Sequence, residues 1–210
     1  MTAKSKPRLI ADCPVMIFIA YTVGEEAVAK GYHPWLVETD NPFFNAIPGV
    51  HHYANWIVDG VSKGGPLAWT YYDFQGLADE SDLERVWFNP DLDGFRKEWI
   101  RLWGYGPGER PPVLRHAYLC RRVSRSDATP RDKLRLSAGQ GKPPSGGDLT
   151  FAVTDVLAKH FAGVGSAKWN WPIAEGNPLG LEWLRVDYAP DAPEVPGAEL
   201  VLSAGLIAAP

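Results

Sequence analysis

At 210 residues, with 45% hydrophobic and 22% charged side chains, the chain has the make-up of one globular domain, or of one domain with an elaboration. A formal charge of −4 argues against a nucleic-acid partner, which needs a basic face, and two cysteines (Cys13 and Cys120) are too few and too unpatterned for a zinc site or disulfide scaffold. No apolar run reaches the roughly 20 residues that span a bilayer, and the basic start MTAKSKPRLI is not followed by a signal-peptide pattern, so the expectation is a soluble, cytoplasmic protein without membrane contact.

Residues 1–13 read as a lead-in. The apolar, β-branched run VMIFIAYTV after Pro14 predicts a buried strand ending at Gly24. The segment GEEAVAKGYHPWLVETDNPFFNAI has Glu25 and Glu26 where a helix N-terminus favours negative charge. Pro34 and Pro42 each lack a donor and disfavour helix at the preceding residue, which predicts two short helical pieces. After Pro48-Gly49 the periodicity changes to two. His51, Tyr53, Asn55 and Ile57 then lie on one side of a second strand, and His52, Ala54, Trp56 and Val58 on the other. A strand carrying polar aromatic groups instead of Val and Ile is a candidate site wall.

A Gly-rich loop leads to a third strand, LAWTYYDFQG, so the second and third strands read as a hairpin. Leu83, Val86 and Trp87 make the apolar stripe of one helix, and Phe95, Trp99, Leu102 and Trp103 that of another, the two separated by Asn89-Pro90. VLRHAYLCRRV follows as a fourth strand. Residues 14–123 thus read strand, helix, strand, strand, helix, strand, the split βαβ order of a ferredoxin-like α+β fold: an antiparallel sheet with helices on one face. Its other face needs cover. Residues 124–148, rich in Gly, Pro and Ser, read as a polar linker, and the chain as a whole shows no clear internal repeat. The basic cluster from Arg121 to Arg135 reads as a solvated loop. LTFAVTDVLA, GLEWLRVDYA and ELVLSAGLI are strand candidates in a C-terminal extension, 149–210, that completes or covers the sheet.

The strand PVMIFIAYTV, the interrupted helix with His33, Pro34 and Trp35, the AIPGV turn and the strand HHYANWIV together resemble the dimeric α+β barrel superfamily, and within it the EthD-like group. The resemblance covers about residues 14–123. It implies a homodimer in which two sheets meet as a barrel, with a pocket between sheet and helices in each protomer. It also implies membership among cofactor-free cyclases, isomerases, lyases, monooxygenases and breakdown enzymes for aromatic compounds, between which a fold does not choose.

Four of the five histidines fall in this module. Histidine moves protons near neutral pH, and adjacent His51 and His52 point to opposite faces, so only one enters a given pocket. The candidate catalytic set is His52, Tyr72 and His116, with His33 reaching from the helical segment. Arg115 is a candidate for holding a substrate carboxylate, and Trp35, Tyr53, Trp56 and Trp69 for lining the pocket. Each also has an ordinary use: a strand histidine as a hydrogen-bonded core group, Asp73 as a turn cap, His33-Pro34 as the helix kink. No HxH, HExxH, GxGxxG, P-loop or GxSxG pattern is present, so no metal or cofactor is expected. The expectation is a cofactor-free acid–base isomerase or lyase acting on a small unsaturated oxygenated acid, for instance one from aromatic ring cleavage. The alternatives are a cofactor-free monooxygenase of a phenol and a non-enzymatic small-ligand binding protein.

Overall fold

The computed structural model describes residues 9–64, 69–103, 115–162 and 176–210. Its strands are β1 (Val15–Tyr21), β2 (Val50–Lys63), β3 (Tyr71–Leu77), β4 (His116–Arg125), β5 (Lys133–Gly139), β6 (Leu149–Val156), β7 (Trp183–Asp187) and β8 (Ala198–Ala208). All pairings are antiparallel, and the strands close into one barrel in the order β1-β3-β2-β8-β5-β7-β6-β4.

This closure corrects the ferredoxin-like α+β expectation. The sheet is not an open layer completed by a second chain, so neither the ferredoxin-like nor the dimeric-barrel description holds. Closure is the physical answer to a sheet with one uncovered apolar face and two unpaired edges. The chain supplies it from its own β5–β8, through the β2–β8 and β4–β6 seams. Strand β5 lies inside the segment expected to be a polar linker. A topological repeat is also present: each consecutive set of four strands is laid down in the spatial order fourth, first, third, second.

Alternation along each strand separates two environments. Met16, Phe18 and Ala20 of β1, Tyr72 and Phe74 of β3, Trp56 of β2 and His116 and Tyr118 of β4 share the barrel interior with Leu134, Leu136, Leu184, Val186, Leu202 and Ala204. An eight-stranded barrel is just wide enough for side chains to fill it. Ile19, Tyr21, Tyr53, Asn55, Tyr71, Asp73 and Arg115 face outward, under the helices. Strand β2 serves both halves: its first part pairs with β3 and its second with β8. Register shifts near Trp56, Gly60 and Lys63 provide the bend.

The helices are α1 (Glu25–Ala29), α2 (Tyr32–Trp35), α3 (Asn41–Ala46), α4 (Asp82–Trp87), α5 (Asp91–Trp103) and α6 (Leu157–Ala162). The two pieces expected around Pro34 and Pro42 are joined. A π-helical turn, Leu36–Asp40, links α2 to α3, and the Asn41 N–H reaches back to the Leu36 carbonyl. The wider turn absorbs the donor that Pro42 lacks without ending the helix. Among the described residues no helix is long and apolar enough to cross a membrane. At the foot of the barrel a 3-10 turn (Ile10–Asp12) packs against β2 and β3. Arg122 donates to the Ala11 and Cys13 carbonyls there, Arg125 pairs with Asp12, and Arg121 pairs with Glu80. Arg122 and Arg125, on strand β4 and not in a loop, thus tie down the lead-in, while Arg121 remains largely exposed. The Gly/Pro-rich sequence at 104–109 lies outside the described residues, as do residues 163–175.

The IPGV turn hands the helical layer over to β2. Gly49 has φ +104°, and a Cβ there would lie 3.0 Å from Val86 Cγ2 and 3.1 Å from the Arg85 guanidinium. Gly49→Ala is therefore expected to lower stability by about 1–3 kcal/mol through backbone strain. An unchanged urea midpoint would show that the turn relaxes instead.

Candidate functional site

Strand β8 ends opposite Asn55, so on that side the edge of β2 preceding it has no neighbouring strand among the described residues. Helix α3 fills the gap with asparagines one turn apart. The Asn45 side chain pairs with Tyr53 as a strand would, accepting from its N–H at 2.9 Å and donating to its carbonyl at 3.0 Å. Asn41 donates to the same carbonyl at 3.0 Å and to Asn55 Oδ1 at 3.1 Å. That last bond fixes which end of the Asn55 amide is the donor.

Asn55 then holds two carboxylates. Its Nδ2 donates to Asp40 Oδ2 and to Asp73 Oδ1, both at 2.9 Å. Asp40 arrives from the end of the π-helical turn and Asp73 from the middle of β3. Tyr53 donates to Asp73 Oδ2 at 3.0 Å and Tyr21 to Asp73 Oδ1 at 3.3 Å, with Tyr32 behind Tyr21 at 3.3 Å. Asp40, Asp73 and Asn55 are all at most 5% exposed. Burial pushes both carboxyls up, Asp73 to about 8 and Asp40 to about 6. Asp73 is raised further by the Asp40 charge, while Asn55, Tyr53 and Arg115 pull both back. The pair therefore holds one proton near neutral pH, and the tyrosine hydroxyls, raised by burial, remain donors.

The two carboxyls and Tyr21, Tyr32 and Tyr53 line a cavity of about 20 Å³ with Ile19, Phe44, Trp87, Phe95 and Arg115, room for a water or two. The half-buried Arg115 guanidinium sits 4.0 Å from the Trp99 ring centre and 5.2 Å from that of Tyr21. Its Nε is buried without a hydrogen-bond partner among the described residues. A cation held by aromatic faces keeps its N–H groups for an anion.

The expected site residues divide between the two faces. His52, Tyr72 and His116 do share one, the barrel interior, but they do not converge. Tyr72 and His116 flank Ala20 from opposite sides, and His52 stands four residues along β2 from Trp56, about 13 Å away. Trp56 and Trp69 lie with them, within ring contact of Tyr72 and His116 respectively. Arg115 and Tyr53 belong to the helix-side cavity. His33 is on that side too, its Nε2 2.7 Å from the Tyr71 hydroxyl, and Trp35 packs among Tyr32, Phe95 and Trp103. Asp73 is a buried strand residue and not a turn cap. Asp40, Asn41 and Asn55 escaped the sequence reading; the available signal was a carboxylate and two amides at positions that helix and strand periodicity direct inward.

No group of three or more His, Cys, Asp and Glu side chains suited to a metal occurs among the described residues. No family model, curated protein or solved structure matches the chain.

The raised carboxyl links the site to stability. Between about pH 4 and pH 8 the unfolded chain has released the Asp73 proton while the folded chain keeps it, so stability falls as pH rises through that window. Asp73→Asn, which mimics the protonated acid, is expected to flatten the fall in Tm from pH 4.5 to 8.5. Parallel pH curves for the two proteins would disprove the assignment.

Proposed function

We propose that the chain is an acid–base enzyme whose reacting centre is the Asp40–Asp73 pair, acting on a small organic acid with a carbonyl or double bond next to its carboxylate. The observation that carries this reading is the splitting of two buried carboxyls on one amide, beside a cavity that also takes an arginine. Pairs whose environments push their proton affinities apart supply a base and an acid together. Asp40, the lower of the two, takes a proton from the carbon next to the carbonyl. Arg115 holds the oxygen on which negative charge develops. Asp73, still protonated, delivers a proton to a neighbouring carbon, giving an isomer, or to a departing hydroxyl, giving elimination of water. Each route returns the pair to one proton once the two carboxyls re-equilibrate.

The small cavity means that only the reacting end of the substrate enters. Phe95, its wall from α5, makes ring contacts to Phe43 and Phe44, so its displacement breaks no hydrogen bond of its side chain. The chemistry moves from the histidines of the sequence expectation to a carboxyl pair, and the reaction class is kept.

Solvent exchange is the direct test. In D2O, a panel of 2-oxo and unsaturated acids followed by proton NMR is expected to show deuterium entering next to the carbonyl, or a new isomer. Asp40→Asn and Asp73→Asn are each expected to slow this by about a hundredfold or more. The singly protonated pair dominates between its two titrations, so the rate should peak between about pH 6 and pH 8. Undiminished exchange in Asp40→Asn would overturn the role of the pair, and no exchange with any acid would overturn the substrate class.

A further inference from the structure

After one turnover Asp40 carries the proton taken from the substrate, and Asp73 has given its own away. The next turnover needs the reverse. Both carboxyls are at most 5% exposed, which impedes exchange with bulk water at either end. Asn55 bridges the pair, its Nδ2 lying 2.9 Å from Asp40 Oδ2 and from Asp73 Oδ1. An amide nitrogen donates but has no lone pair with which to accept, so this bridge holds the carboxyls without conducting a proton between them.

The Tyr53 hydroxyl is equipped to do so. Its oxygen lies 3.0 Å from Asp73 Oδ2 and 3.4 Å from Asn55 Nδ2, the atom that Asp40 also accepts from. Asp40, Tyr53 and Asp73 line one cavity of about 20 Å³. The hydroxyl pulls both carboxyls toward acidity, as a donor within reach of each does. A hydroxyl has one proton and two lone pairs, so it donates to whichever carboxyl is ionised and accepts from the one that is protonated. The ring is fixed in this position. It stacks on Phe44 with centroids 4.5 Å apart, and Asn45 pairs with the Tyr53 backbone N–H and carbonyl. Burial raises the phenol well above its ordinary pKa, so the hydroxyl releases one proton only while it receives another.

We propose, resting on the acid–base role of the carboxyl pair, that Tyr53 is the proton relay that resets Asp40 and Asp73 between turnovers. The Asp40 proton moves to the Tyr53 oxygen as the Tyr53 hydroxyl proton moves to Asp73. Two O–H bonds break and two form, the negative charge passes from Asp73 to Asp40, and Tyr53 ends as it began. The relay touches both reacting carboxyls and leaves the substrate to Asp40, Asp73 and Arg115.

The test is rapid mixing of the full chain with excess 4-hydroxy-2-oxopentanoate, whose dehydration gives a conjugated product that absorbs in the ultraviolet, and with the other members of the 2-oxo and unsaturated acid panel. Tyr53→Phe is expected to form about one product per chain at the parental rate and then to slow about a hundredfold, because the pair then waits on solvent to reset it. Tyr21→Phe also removes a donor from Asp73, and it is expected to change the first and later turnovers alike. Two results in Tyr53→Phe would overturn the relay while leaving the pair in place. A steady rate equal to the parent's would assign the reset to water in the cavity, and a first turnover slowed as much as the later ones would make Tyr53 a structural group only. No reaction of the parent with any acid of the panel would instead overturn the proton-transfer reading, and the relay with it. Should Tyr53→Phe fail to melt cooperatively, 3-fluorotyrosine placed at position 53 keeps the hydroxyl and makes it more acidic. A changed steady rate with an unchanged first turnover is then expected, and no change in either would overturn the relay.

Discussion

The helix-side chemistry depends on where strand β2 runs out of a partner. Opposite Asn55 the last strand stops, and a backbone edge that would otherwise recruit another strand is left facing α3. Asn41 and Asn45 pair with that edge, and Asn41 also anchors Asn55. Removing any one of these amides would leave buried groups unpaired on two elements at once. The asparagines therefore fix the helical layer to the sheet and, by the same bonds, fix the group that holds both carboxylates.

Bringing two carboxyls into such a place works against their charge. Desolvation raises both, and the Asp40 charge raises Asp73 further. The arrangement survives because one proton is retained and because Asn55, Tyr53 and Tyr21 direct donors at the oxygens. Arg115 adds a cation without forming an ion pair to either carboxylate among the described residues, resting instead on Trp99 and Tyr21. An ion pair would have pulled the carboxyls back toward their ordinary acidity. The looser placement keeps them split and leaves the guanidinium Nε without a partner among the described residues.

The alternation of β1 to β4 gives one wall two unlike surfaces. Tyr21, Tyr53, Asn55, Asp73 and Arg115 face the helices, while Phe18, Trp56, Tyr72, His116 and Tyr118 face the interior. A one-residue slip of any of these strands would exchange its two sets, and in β3 it would place the Asp73 carboxyl in an aromatic barrel. The pairing register is thus held by polar groups on one side and by ring packing on the other.

Local sequence determined the first three strands, much of the fourth, the amphipathic α4 and α5, and the sharp turn at Pro48-Gly49, since all rest on short-range periodicity and on residues with restricted or permissive backbones. Strand alternation, being local, also determined that His51 and His52 point to opposite faces; that His52, Tyr72 and His116 share one follows from the pairing register of β1 to β4. Local sequence misled at Pro42, where a π-helical turn takes up the missing donor. It also misled at Lys133–Gly139, where the alternation of Leu134, Leu136 and Ala138 was hidden by charged and glycine-rich surroundings. Only the tertiary structure decided that the sheet closes within one chain, that His33 and His116 lie on opposite sides of it, and that Asp40 meets Asp73 on one amide. Those outcomes depend on which strands become neighbours across up to about 150 residues of chain. Pairing of that range is settled by burying a common interior and sealing both edges, and no short window of sequence contains it.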